Sequence, residues 1–256
     1  MSFLELIGIE AGKIRRSKIL LILAAAVVIL WIPSIINADI NFGMQAEGIS
    51  PENNFLIQGF MGMAWFMYPA SMVVSTVLLT MTERSSRGMF KMLSLPVHTA
   101  KLCLAKFVVL LTLAALQILL TVGMYFASAG IASGMQNYDF ILDPFFVFKE
   151  AGMIFAASVP MLALFWLLAV CIQTPIFSIG IGLALIVPSV LMINTKFWFV
   201  YPMSYPFFVI TAEYGKIAAN LTTAQVDLIP WLPAAAMITA ACLLISCLCF
   251  GQAERR

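Results

Sequence analysis

The chain has 256 residues, 62% of them hydrophobic and only 10% charged, with a mean hydropathy of +1.02. Soluble domains carry roughly 25% charged residues, so this composition excludes a water-covered globular surface. The formal net charge of +2 excludes little, because placement matters more than sum.

A helix of about 20 apolar residues crosses a bilayer, and lipid admits only helices and closed barrels as spanning structures. Barrel strands alternate apolar and polar residues, and the apolar runs here do not. The pattern predicts an all-α membrane protein of six spans in one transmembrane domain covering residues 1–256.

In chain order, the first 17 residues form a candidate amphipathic helix. Phe3, Leu4, Ile7, Ala11 and Ile14 share one stripe, while Glu5, Lys13 and Arg16 lie broadly opposite and Leu6 and Ile9 blur the pattern. With Arg15 and Arg16 at its end, such a helix suits a membrane surface. Ile19–Ile36 follows as the first span, since it exceeds the roughly 7–15 apolar residues of a signal peptide. Asn37–Gly59 is polar and acidic and reads as an exposed loop. The second span covers Phe60–Met81.

Next comes TERSSRGMFKMLSLPVHTAK, Thr82 to Lys101, an island of charge. On a helix, Arg84, Arg87, Lys91 and Ser94 form one stripe beside an arc of Met89, Phe90 and Leu93. Glu83 is placed to pair with Arg87, Thr82 is a fair N-cap, and Pro96 disfavours helix at Leu95. The stretch therefore predicts a short amphipathic helix between spans two and three. It is either a connector that fixes topology or a docking surface for another chain.

The third span covers Phe107–Ala129 and the fourth Ala151–Cys171. A tight turn, IQTP, leads to the fifth, Ile176–Ile193, and the sixth is Ile229–Phe250. Pro69, Pro160 and Pro188 predict kinks, which membrane helices tolerate. Asn194–Asp227 is too aromatic for a solvated loop: Trp and Tyr favour the headgroup level, so it packs into the interface or dips inward. The five cysteines, none in a CxxC pair, read as reduced packing residues.

Eleven of the fourteen basic residues fall before span one, between spans two and three, or after span six. The other side holds Lys149, Lys196 and Lys216 with eight acids. Excess Lys and Arg marks the cytoplasmic side, which predicts that both termini are cytoplasmic. The spans hold almost no ionisable groups, with Lys149 and Glu150 at a span's edge, which argues against proton or ion coupling. Neutral polar residues, Gln58, Thr80, Gln117 and Thr121, either line a substrate path or bond helix to helix. No HExxH, GxSxG or GxxxxGK[ST] motif occurs, and one histidine cannot build a metal cluster. The chain is therefore no enzyme and carries no cofactor of its own, and nothing suggests a nucleic-acid partner. Any energy for work must come from another chain.

The order of these elements resembles permease subunits of the ABC-2 class of ABC transporters. Their loose E…G…K/R…L…P…K pattern is matched by Glu83, Gly88, Lys91, Leu93, Pro96 and Lys101, although His98 stands where an arginine is more usual. The length and the stretch ERSSRGMFKMLSLPVHTAKLCLAKF are similar to lantibiotic-immunity and bacitracin-type permeases. The resemblance implies a bacterial plasma-membrane subunit coupled through Glu83–Pro96 to an ABC ATPase, expected in two copies, which holds ATP and Mg. A second permease, identical or paralogous, membrane lipid and an amphipathic antimicrobial peptide complete the implied partners. Another exported cargo and a non-transporting sensor subunit are the alternatives.

Overall fold

The computed structural model describes residues 2–14, 17–84, 98–217 and 228–253. These residues are helical in the main, with no strand among them. They form α1 (Phe3–Ile14), α2 (Ile19–Ile36), α3 (Pro51–Gly62) and α4 (Tyr68–Arg84), then α5 (Thr99–Gln136) and α6 (Pro144–Cys171). After these come α7 (Pro175–Ile186), α8 (Ser189–Met192), α9 (Tyr205–Ile217) and α10 (Leu228–Ala253). A five-residue π-turn, Met63–Met67, joins α3 to α4. Six stretches are long and apolar enough to cross a membrane: Ile19–Ile36, Pro51–Met81, Thr99–Gln136, Pro144–Cys171, Pro175–Met192 and Ile229–Phe250.

The first and sixth spans coincide with the sequence reading; the third is extended at both ends, and the second changes the reading of the segment before it. Asn37–Gly59 is not a loop. A 3-10 helix occupies Ala38–Glu47, and α3 starts at Pro51 after Ser50. Proline at the first helical position has its φ preset and loses no hydrogen bond there. Asn54, Phe55, Leu56 and Ile57 are buried, because polar Asn54 finds an amide partner and the apolar residues face other helices. The third span is the longest, its 38 residues ending at Asn137 in the left-handed conformation (φ 50°). Asparagine tolerates that conformation at a helix end. The fourth starts at Asp143, whose side chain accepts a 3.2 Å bond from the Phe146 N–H, an N-cap with Pro144 behind it. The fifth breaks after Ile186 and resumes at Ser189, with Pro188 in the gap.

In lipid, helices associate through close packing and hydrogen bonds rather than a hydrophobic drive. Two glycines allow such approaches here. A Cβ on Gly59 would lie 2.4 Å from the Trp31 ring, and one on Gly182 would lie 2.7 Å from Val73. Trp31 thereby sits fully buried against Phe55 and Tyr125, with ring centroids 5.7 Å away from each. The aromatic segment before α9 also packs inward. Trp198 stacks on Phe208 at 3.7 Å, and Tyr205, Val209 and Ala157 form a small core with Trp231 against it. Burial pushes the Tyr205 phenol up to about 12, so it stays a neutral donor to the Phe199 carbonyl.

Candidate coupling and transport site

Three polar regions interrupt the apolar packing. The first lies where α1 meets the base of α5. Ser2 and Glu5 close a reciprocal cap at the start of α1: Ser2 Oγ accepts from the Glu5 N–H (3.2 Å) and Glu5 Oε2 from the Ser2 N–H (3.0 Å). The buried face of α1 is Leu6, Glu10 and Ile14, a spacing of four that puts one residue per turn on the same side. Glu10 is 2% exposed and Lys106 of α5 is 1% exposed. Lys106 Nζ donates to Glu10 Oε2 at 2.7 Å, and Lys13 Nζ donates to Glu10 Oε1 at 2.5 Å. Leu79 of α4 lines the small cleft beside Glu10, so α1, α4 and α5 converge here.

Burying charges is costly, and only close pairing with further hydrogen bonds repays it. The pair therefore ties α1 to the third span strongly once formed. The sequence stripe does not single out Glu10, and by sequence Lys106 is one of the basic residues between spans two and three. The spacing Leu6-Glu10-Ile14 and the Ser2-x-x-Glu5 cap were the available signals.

The interfacial-helix residues divide. Leu4 is 78% exposed, Phe3 and Ala11 are exposed and Ile7 is half-buried; Arg15 and Arg16 lie outside the described residues. Of the sequence stripe, Ile14 alone is buried against protein, because the face that meets α5 is the neighbouring one. In the coupling stretch, the backbone of Thr82, Glu83 and Arg84 continues α4. Thr82 is thus not an N-cap: the second span simply runs on. Arg87, Gly88, Phe90, Lys91, Leu93 and Pro96 lie outside the described residues. The chain resumes at His98, and Lys101 is already inside α5.

The second region is a layer of neutral bonds between helices. Tyr68 and Ser158 hydroxyls are 2.8 Å apart, and Ser71 Oγ donates to Gln117 Oε1 at 2.6 Å. Thr121 bonds the Gln117 carbonyl and Thr80 the Val77 carbonyl. Thr80, Gln117 and Thr121 are buried; the two threonines bond back to their own helices, and it is Gln117, through Ser71, that joins α4 to α5. Tyr68 follows the π-turn, a local feature common at functional positions. Glu150, expected at a span's edge, is instead wholly buried within α6, with Lys149 Nζ 3.3 Å from its Oε1. Burial follows because α9 packs over that end of α6.

The third region lies at the opposite end of the bundle from α1. A cleft of about 470 Å³ opens between α2, the 3-10 helix and α3, and Gln58 lines it. Asn54 Nδ2 donates to Asn41 Oδ1 at 2.9 Å, and Asn41 Nδ2 donates to the Ala38 carbonyl at 2.9 Å. Gln58 Nε2 lies 3.5 Å from Asn54 Oδ1. Nearby, Tyr138 donates to Glu52 Oε2 at 2.5 Å, and that bond to a carboxylate holds the Tyr138 phenol above its ordinary pKa. Among the described residues no cluster of metal-ligating side chains comes together.

Compared with known proteins, residues 6–189 match the family model described as ABC-2 family transporter protein. No curated protein and no solved structure gives a match.

Proposed function

The chain belongs to the ABC-2 family of transporter proteins, and from that premise we propose that it is the membrane subunit of an ATP-driven exporter, worked through the stretch joining α4 to α5. It is a multi-pass membrane protein, and permeases of this family work with an ABC ATPase that supplies the catalysis. The cargo we assign is an amphipathic antimicrobial peptide, cleared from the membrane in self-immunity or resistance. ATP and Mg belong to the partner ATPase, present in two copies, and a second permease, identical or paralogous, completes the complex. The α1 end faces the cytoplasm on the strength of its lysines and arginines.

One observation carries this reading. α1, α4 and the base of α5 meet around Glu10, Lys106 and Leu79, and α4 and α5 are the two helices that the basic stretch joins in sequence. A push on the stretch would reach two spans and the surface helix together, as a rigid body rather than as separate pieces. The cargo assignment draws on the likeness of Glu83–Phe107 to peptide-clearing permeases. The 16 methionines and 20 phenylalanines supply a polarisable, adaptable apolar surface.

The test is charge reversal at Arg84, Arg87 and Lys91 in a chain still inserted in the membrane. ATPase co-purification is expected to fall sharply, and unchanged co-purification would overturn the docking reading. ATP-dependent removal of a labelled cationic peptide from proteoliposomes checks the cargo.

A further inference from the structure

The cleft at the end opposite α1 has a chemistry that the helix packing does not require. Its polar lining is Ser34, Asn37, Asn41, Asn54 and Gln58, and its apolar lining includes Leu30, Ile40 and Phe55. Among the described residues no ionisable side chain lines it, although Asp39 and Glu52 are close in sequence. The three amides run in one direction, each donating toward the oxygen before it, from Gln58 through Asn54 and Asn41 to the Ala38 carbonyl. A primary amide has two N–H donors and an oxygen with two lone pairs. The chain therefore ends at Gln58, exposed, with its Oε1 and second N–H available, beside the exposed Asn37.

We propose that this cleft binds an amphiphile whose head group is uncharged and rich in hydroxyl or amide groups, with its apolar chain lying along Leu30 and Ile40. A charged head group would be desolvated here without a counter-charge. A purely apolar ligand would cover the free Oε1 and N–H of Gln58 without pairing them, at a cost. Hydroxyls and amides both donate and accept, which suits a lining of amides and one hydroxyl. The volume falls within the roughly 300–1,000 Å³ of small-molecule sites. The proposal goes beyond the transport reading: the occupant is an uncharged amphiphile distinct from the cationic peptide, either a further cargo or a bilayer lipid.

The experiment uses the full chain in lipid nanodiscs and radiolabelled decanoyl-N-methylglucamide, an uncharged polyhydroxy amide. Unlabelled glucamide, decanoate and decyltrimethylammonium, which carry similar apolar chains, compete for the site. The glucamide is expected to compete about tenfold better than either charged molecule, the size of one or two satisfied buried hydrogen bonds. Gln58→Leu should remove that preference. Asn37→Trp, which fills the cleft from an exposed position without touching the amide chain, should remove binding. Equal competition by all three, binding unaffected by both variants, or equally tight binding of N-acetyl-N-methylglucamine, the same amide head group without the long chain, would each overturn the proposal. ATP-driven movement of the probe by the complex with its ATPase then separates the two sources. Binding with movement marks cargo. Binding without movement marks a resident lipid and upholds the site while counting against transport of this class.

Discussion

The two ends of the bundle are held by different chemistry. At the α1 end, a fully buried carboxylate–ammonium pair, Glu10 with Lys106, joins a surface helix to a spanning one. At the opposite end, neutral amides, aromatic rings and one glycine–tryptophan contact do the same work among Asn41, Asn54, Gly59 and Trp31. An ion pair buried in low dielectric is a two-position device: closed it is strong, and half of it alone is expensive. Amide and ring contacts degrade by smaller steps. The contrast suits the two proposed roles, an end that takes up a push and an end that holds an amphiphile.

The sharpest way to break the comparison is Lys106→Met, which removes the fully buried ammonium and leaves Glu10 with the partly exposed Lys13. A loss of about 3 kcal/mol is expected, the low end for breaking a buried pair because Lys13 still offsets part of the charge, seen as a collapse of the monodisperse fraction on heating in detergent. Glu10→Leu with Lys106→Met should recover most of that loss, because an apolar pair of similar volume often replaces a buried ion pair without penalty. Next in size is Gly59→Ala, whose Cβ would meet the Trp31 ring at 2.4 Å. Overpacking of this kind costs about 1–3 kcal/mol, read as a lowered Tm and altered tryptophan fluorescence. Asn54→Leu leaves Asn41 Oδ1 without its donor and should cost about 1–3 kcal/mol by the same melt. Smallest is Ser71→Ala, which removes one interhelical bond to Gln117. About 0.6 kcal/mol is expected, the average for such bonds in membranes, measured in a double-mutant cycle with Gln117→Leu. An ion-pair loss no larger than the Ser71 effect would erase the distinction between the ends.

The six spans were legible because apolar runs near 20 residues admit few structures in lipid. What was not legible is polar and local. Asn37–Gly59 reads as a loop by composition, yet Asn54 is buried since Asn41, thirteen residues earlier, satisfies it; hydropathy cannot see a partner. Glu10 escaped notice for the same reason, its partner lying 96 residues away in α5. The apolar stripe of α1 follows helical periodicity, whereas the face actually buried is centred on a charge. Gln117 and Thr121 fitted either of two roles by sequence, and only the positions of α4 and α5 show what they touch. Gln58 alone of the four candidate path residues borders a described cavity.

The third span has 38 residues and no proline. At 1.5 Å per residue it is about 57 Å long, against about 30 Å of hydrocarbon. A rod of that length pivoting by about 10° sweeps its tip through about 10 Å, by simple trigonometry on the helical rise. Because Lys106 clamps it near its foot, a modest tilt imposed there would reappear, magnified, on the far face of the membrane with no intervening joint to absorb it.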